Sequence, residues 1–270
     1  MAKREEDIMS RMIEHYKEAL ESFKEEQIVG LFLQGSQNYD LDLPESDVDT
    51  KLIVVPSFRD IALAAKPVST THIRANNEHT DWKDIRLYME TFRKQNLNFL
   101  EILFTDFKIV NPMYETFWNI LVAYREPIAR MNPYRAVKSM QGIAKEKYHA
   151  MEHRYPAKAE IIDKYGYDGK QVHHLLRVED YLERYIAGEK YADCLKPTPS
   201  KVPHMMDYKK LNIIPLEQAR IEAAESLERI DKMAAEFLAQ TEDKEIAVYR
   251  DILQEMSYRI MKIAIEEELK

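Results

Sequence analysis

The stretch Leu33-Gln-Gly-Ser-Gln-Asn-Tyr-Asp-Leu-Asp-Leu-Pro-Glu-Ser-Asp-Val-Asp-Thr-Lys51 holds residue types that handle phosphate and a divalent cation. Gly35 has no Cβ, so a phosphate can approach its backbone closely. Ser36 adds a hydroxyl and an N–H that can bond phosphate oxygens. Residues two apart on a strand point to the same face, so Asp47 and Asp49 project together. Two carboxylates side by side repel, and a hard, oxygen-liganded cation relieves them; Mg²⁺, or Mn²⁺ in its place, suits such a pair and is commonly shared with substrate phosphates. With a third carboxylate, two ions can flank a phosphoryl group and stabilise the attacking and leaving oxygens. Asp-x-Asp alone fits any surface strand, and Gly-Ser alone fits any turn. Their joint occurrence, with ten residues between Ser36 and Asp47, is what points to phosphate chemistry.

These residues need elements to position them. Ile8, Met9, Met12, Ile13, Tyr16, Leu20 and Phe23 recur at helical steps, which predicts an amphipathic helix over 5–25. Residues 28–33 read as a strand that ends at Gly35-Ser36, and 49–55 as a second strand closed by Pro56. A helix capped by Ser57 follows over 57–65. Strands are expected at 69–75 and 82–88, separated by the polar run 76–81. On the second of these Asp84, Arg86 and Tyr88 share one face, with Ile85 and Leu87 on the other. From Met89 onward the pattern is helical. Tyr165-Gly-Tyr-Asp-Gly169 breaks it once, and the prolines at 197, 199 and 203 mark a long loop over about 189–214. The expectation is an α+β chain with a small mixed sheet over 1–110, followed by a helical domain over 111–270.

Two helices carry cations in rows. Lys138, Gln141, Lys145 and His149 share a face of the first, and Lys170, His174, Arg177 and Tyr181 a face of the second. Gly142 costs the first helix about 1 kcal/mol relative to alanine, which predicts a tight contact or a substrate beside it. Most cationic helix faces are merely solvated, and a histidine is more often a structural hydrogen-bonder than a catalyst.

The chain has 270 residues, 45% hydrophobic and 32% charged, an ordinary globular balance. No apolar run approaches the ~20 residues of a membrane span, and the first segment lacks the pattern of a signal peptide. One cysteine, Cys194, excludes an internal disulfide and a thiolate metal cluster; a reduced, cytoplasmic setting is the default expectation. A net charge of −8 disfavours long duplex DNA as a partner. The charge is unevenly spread, however: 134–184 holds ten Lys/Arg and four His against eight acidic residues, and 216–270 holds 14 acidic against 8 basic.

The order of apolar strand, Gly-Ser, a spacer near ten residues and Asp-x-Asp resembles the signature of the DNA polymerase β superfamily of nucleotidyltransferases. More narrowly, residues 28–188 resemble a family of predicted bacterial and phage nucleotidyltransferases with a Gly-Ser-x-x-Tyr loop, in which Tyr39 is the loop tyrosine. Asp40 stands where that family often has glycine. Asn96-Leu-Asn-Phe-Leu-Glu-Ile-Leu-Phe104 is similar to its Asn-Pro-x-x-Leu-Glu-Leu-Leu segment, with Leu97 in place of the proline, and Tyr167-Asp-Gly-Lys170 followed by His174 and Arg177 also has its counterpart there. The resemblance implies Mg²⁺-dependent transfer of a nucleoside monophosphate from an NTP to an acceptor: an RNA end, a protein or a small molecule. It implies Asp47 and Asp49 as metal ligands and Gly35, Ser36 and Tyr39 at the nucleotide. It also calls for a third carboxylate that serves as ligand and general base. Asp84 is the first choice for it, with Asp81 competing. Lys170, His174 and Arg177 are expected to neutralise phosphate. A catalytically inactive nucleotide- or RNA-binding module of the same fold, or a helical partner-binding protein, are the alternatives.

Overall fold

The computed structural model describes residues 2–210 and 213–270. In chain order the elements are α1 (Ala2–Ala19), β1 (Ile28–Gln34), β2 (Asp49–Val54), α2 (Phe58–Ala62), β3 (Ser69–Ile73), β4 (His79–Asp84), α3 (Ile85–Arg93), α4 (Leu97–Leu100) and β5 (Lys108–Val110). The helices α5 (Glu115–Ala123), α6 (Arg125–Ala129), α7 (Pro133–Ala150), α8 (Ala159–Tyr165), α9 (Gly169–Ile186), α10 (Tyr191–Leu195), α11 (Val202–Lys209), α12 (Leu216–Ala239) and α13 (Ala247–Glu268) complete the chain. The fold class is α+β: one mixed five-stranded sheet with many helices, followed by a helical C-terminal region.

The chain forms two compact units, residues 1–131 with 245–270, and residues 132–244. Helices α5, α6 and α13 thus belong to the first unit, beyond the expected span 1–110. Within the first unit the strand order is β3-β4-β2-β1-β5. β1 is antiparallel to β2 and β5, β2 runs parallel to β4, and β3 is antiparallel to β4. Strand alternation gives the sheet two different faces. Leu31, Leu33, Leu52, Val54 and Trp82 share one face and pack with Ile8, Met12 and Ala19 of α1. On the other face Gln34 stands beside Asp49, and Lys51 beside Asp81, in register.

Four expectations are corrected. β4 begins and ends earlier than 82–88; Asp84 caps the next helix, accepting the Arg86 N–H at 2.8 Å, so Arg86 and Tyr88 are helical. Buried Ile85, Tyr88, Met89 and Phe92 form the inner stripe of α3, a helical spacing that the short alternation at its start disguised. The chain beyond Met89 is not wholly helical, since β5 pairs with β1 through Gly30, Leu31 and Phe32. The segment 189–214 is not one open loop: it carries α10 and α11, while residues 211 and 212 lie outside the described residues. The second unit is built by α9, which packs against α7, α10, α11 and α12. Gly142 of α7 is exposed, and a Cβ there would meet nothing within 4 Å, so no close packing contact explains it.

Candidate functional site

β1 ends at Gln34, and the chain then turns through Gly35 at φ +93°, a conformation that favours glycine. Ser36–Tyr39 form a single 3-10 turn, closed by Asp40 in the left-handed region at φ 59°. Aspartate is among the few residues other than glycine that tolerate that region. Two contacts pin the turn from beneath. Asn38 Nδ2 donates to the Leu33 carbonyl at 3.0 Å, and Thr105 Oγ1 donates to Asn38 Oδ1 at 2.7 Å. Tyr39 is buried, so it serves the loop as an anchor. Gln37, also buried, donates from Nε2 to the Asp47 carbonyl. The turn and the Asp-x-Asp segment are thereby tied directly.

Asp47 is exposed just before β2, Val48 is buried, and Asp49 opens the strand opposite Gln34. Asp49 Oδ1 accepts the His79 N–H at 2.9 Å, which joins β2 to the start of β4. Two residues along, the Lys51 ammonium lies 3.5 Å from Asp81, with its side chain only 3% exposed, and it also donates to Gln34 Oε1. Thr71 Oγ1 fixes Asp81 at 2.6 Å. Lys51 and Lys83 both stand over the Phe99 ring, 4.6 and 4.5 Å from its centroid. Burial pulls the Lys51 ammonium down to about 8, and Asp81 and Asp49 hold it up against that loss. Burial lowers Lys83 as well.

By register the Gly35-Ser36 turn follows Gln34, which stands opposite Asp49, and Lys51 and Asp81 lie two residues further along the same sheet face. The structure does not bring Asp84 there. Asp84 pairs in register with Val54, on the α1 face and at the opposite end of β2 from Asp49. It is buried and forms a salt bridge with Arg86 at 2.7 Å. Lys51 is the residue that sequence reasoning missed. A lysine two residues after Asp-x-Asp reads as solvated, and only the β2–β4 register reveals that it is covered.

The donor set suits a hard cation, being carboxylate oxygens beside a phosphate-compatible turn. Among the described residues, no group of three His, Cys, Asp or Glu stands at metal-holding separation. A cation held by two of these carboxylates would complete its shell with water and substrate phosphate, the usual habit of Mg²⁺.

In the second unit Lys170 is exposed near the start of α9, and its N–H donates to the capping Asp168 at 3.0 Å. Burial, with His173 and Arg177 adding to it, pushes His174 well below the ordinary histidine range. Gln141 and Lys145 both face Asp231 of α12, at 2.6 and 3.2 Å, which gives that cationic row a packing role. Leu97 opens α4 at its first position, where proline is favoured because its missing N–H would be unpaired anyway; the leucine alters little there.

No family model matches the chain, and no curated protein matches it. One solved structure to which it is similar is a nucleotidyltransferase-like protein from Exiguobacterium sibiricum 255-15, at 10% identity. The match covers 84% of this chain and 75% of that one, with a TM-score of 0.32. Among the described residues, no helix is long and apolar enough to cross a membrane.

Proposed function

We propose that the first unit is a metal-dependent nucleotidyltransferase. One observation supports this reading: the Gly35-Ser36 turn follows the strand residue opposite Asp49, and Asp49 and Asp81 share that sheet face, with Asp47 just before the strand. In the proposed reaction an acceptor oxygen attacks the α-phosphorus of an NTP. The bond from that phosphorus to the bridging oxygen of the β-phosphate breaks, and pyrophosphate leaves. Gly35 and Ser36 present backbone and hydroxyl donors to the phosphate tail. Two of the carboxylates at a time, Asp49 with Asp47 or with Asp81, would hold Mg²⁺, which would supply charge neutralisation on the phosphoryl oxygens. Asp81 takes the acceptor proton, a role for which its partly exposed carboxylate is reachable.

A second reading has a specific observation in its favour. The Lys51 ammonium already neutralises Asp81, as a cation would, and that arrangement suits a module that binds nucleotide without turning it over. One experiment separates the two. The protein is incubated with each α-labelled NTP, Mg²⁺ and cellular RNA, protein or metabolite fractions, beside an Asp49→Asn control. Label transferred to one fraction by wild type but not by the control supports the enzyme and names the acceptor class. Nucleotide binding without transfer in any fraction supports the binding module.

A further inference from the structure

Behind the candidate site, on the α1 side of the sheet, lies a polar cluster where a hydrophobic core would be expected. Its centre is Glu78, whose side chain is fully buried. Its Oε1 accepts from the Arg11 guanidinium and from the Val48 N–H at 3.1 Å. Its Oε2 accepts from Arg74 at 3.1 Å and Asn76 Nδ2 at 2.8 Å, and meets His15 Nε2 at 3.0 Å. A charged carboxylate only accepts, so Nε2 of His15 carries the proton. Nδ1 then accepts from the Thr50 or Thr80 hydroxyl, at 2.8 and 3.1 Å. Burial opposes the charge on Glu78, but the bonds from His15, Asn76, Val48 and Arg11 outweigh it and hold the carboxyl at about 2.

The donors come from α1, from the β3–β4 turn and from the segment that enters β2, three places far apart in sequence. A buried ionic cluster is poor evidence for stability, because apolar packing of similar volume does as well or better. What apolar packing cannot supply is an acceptor for the Val48 N–H, and Val48 is the residue between Asp47 and Asp49. Gln37 holds the Asp47 carbonyl, and the His79 N–H holds the Asp49 carboxylate. Glu78 fixes the backbone between them, from the reverse side of the sheet.

We infer that Glu78 is a positioning residue, held by Arg11, His15 and Arg74, that sets the Asp47–Asp49 segment in the geometry that accepts a metal–nucleotide complex. The inference rests on the nucleotidyltransferase reading of that site. Partners that orient metal ligands from behind typically change metal affinity or activity by about 10–100-fold when removed.

The test uses the full chain, with Mn²⁺ and the non-hydrolysable α,β-methylene-ATP as probes, read by water-proton relaxation enhancement. Wild type should bind the Mn²⁺–nucleotide complex, and Asp49→Asn should lose it. Glu78→Gln, which keeps the volume, should weaken it about tenfold or more while metal-free nucleotide affinity and cooperative unfolding are retained. No binding by wild type, or binding unchanged in Asp49→Asn, would overturn the nucleotidyltransferase reading and this inference with it. Normal behaviour of both, with Glu78→Gln equal to wild type, overturns the inference alone. Should Glu78→Gln fail to fold, amide hydrogen exchange of wild type decides. Val48, outside the strand ladder, should exchange as slowly as the β2 amides, and exchange at the rate of an open loop refutes the clamp.

Discussion

Exchanging the roles of Asp81 and Asp84 is the most direct challenge to the site as built. β2 and β4 are parallel, with Lys51 beside Asp81 and Val54 beside Asp84. At about 3.3 Å per residue, the five steps from Asp49 to Val54 span roughly 16 Å. Asp84 also alternates onto the α1 face, whereas Asp81 shares the face of Asp49. Two ions serving one phosphoryl transfer lie only about 3.5–4 Å apart, so no ion held at Asp49 reaches Asp84. Asp81→Asn, which preserves the contact with Thr71, should therefore lower nucleotidyl transfer by about 100-fold or more, the ordinary contribution of a general base. Asp84→Ala should act on stability instead. It removes the N-cap of α3, typically worth about 1 kcal/mol. It also removes a charge-assisted pair with Arg86, whose side chain is 34% exposed, so solvent screening limits that loss to about 1 kcal/mol more. A total near 2 kcal/mol would lower the thermal midpoint of a unit of roughly 150 residues by about 4–8 °C. Calorimetry and a labelled-NTP transfer assay, run on both variants at a temperature where each is folded, check the pair. A folded Asp84→Ala protein without transfer activity, beside an active Asp81→Asn protein, would refute the register argument.

Other consequences test the packing around and beyond the site. Burial brings His173 of α9 down to about 4 despite its bond to the Met205 carbonyl at 2.9 Å. The unfolded chain therefore binds the extra proton first, so the contribution is complete above about pH 6.5 and disappears as pH falls toward 4. Urea unfolding at pH 7 and 4.5 should show that His173→Phe reduces the pH-dependent loss by about 2–3 kcal/mol; an unchanged pH dependence would contradict a neutral buried imidazole. A Cβ on Gly169 would stand 2.2 Å from the Tyr208 carbonyl oxygen. Gly169→Ala should accordingly cost roughly 1–3 kcal/mol in denaturant unfolding, whereas Gly142→Ala, in open space, should stabilise α7 by about 1 kcal/mol. Asp40 occupies the left-handed region, so Asp40→Val should lose about 1–2 kcal/mol and Asp40→Gly should stay close to wild type in the same measurement.

How far the site was legible follows from the range of the interactions that make it. The glycine turn was readable because its conformation is local, fixed by Gly35 itself, and so was the strand that opens at Asp49; Asp47 lies just outside that strand, where alternation does not set its direction. The strand expected through Tyr88 failed because Trp82 to Tyr88 alternates well enough for a strand, while Ile85, Tyr88, Met89 and Phe92 fit a helix equally well. The Asp84 cap decides between them, and with β4 ending there it is Asp81, not Asp84, that lies on the sheet face of Asp49. β5 is only three residues long, and its strand character comes from β1 beside it rather than from its own pattern. Lys51 and Glu78 were illegible for a deeper reason. Charged residues are expected in solvent, and each is buried here only because partners distant in sequence surround it: Asp81 and Phe99 for Lys51, Arg11, His15 and Val48 for Glu78. A buried charge is costly unless paired, and both are paired, Lys51 with Asp81 and Glu78 with Arg11, Arg74 and His15. Under the proposed reading the two clusters serve one end, because they bear on the same few residues: Lys51 on Asp49 and Asp81, and Glu78 on the backbone between Asp47 and Asp49.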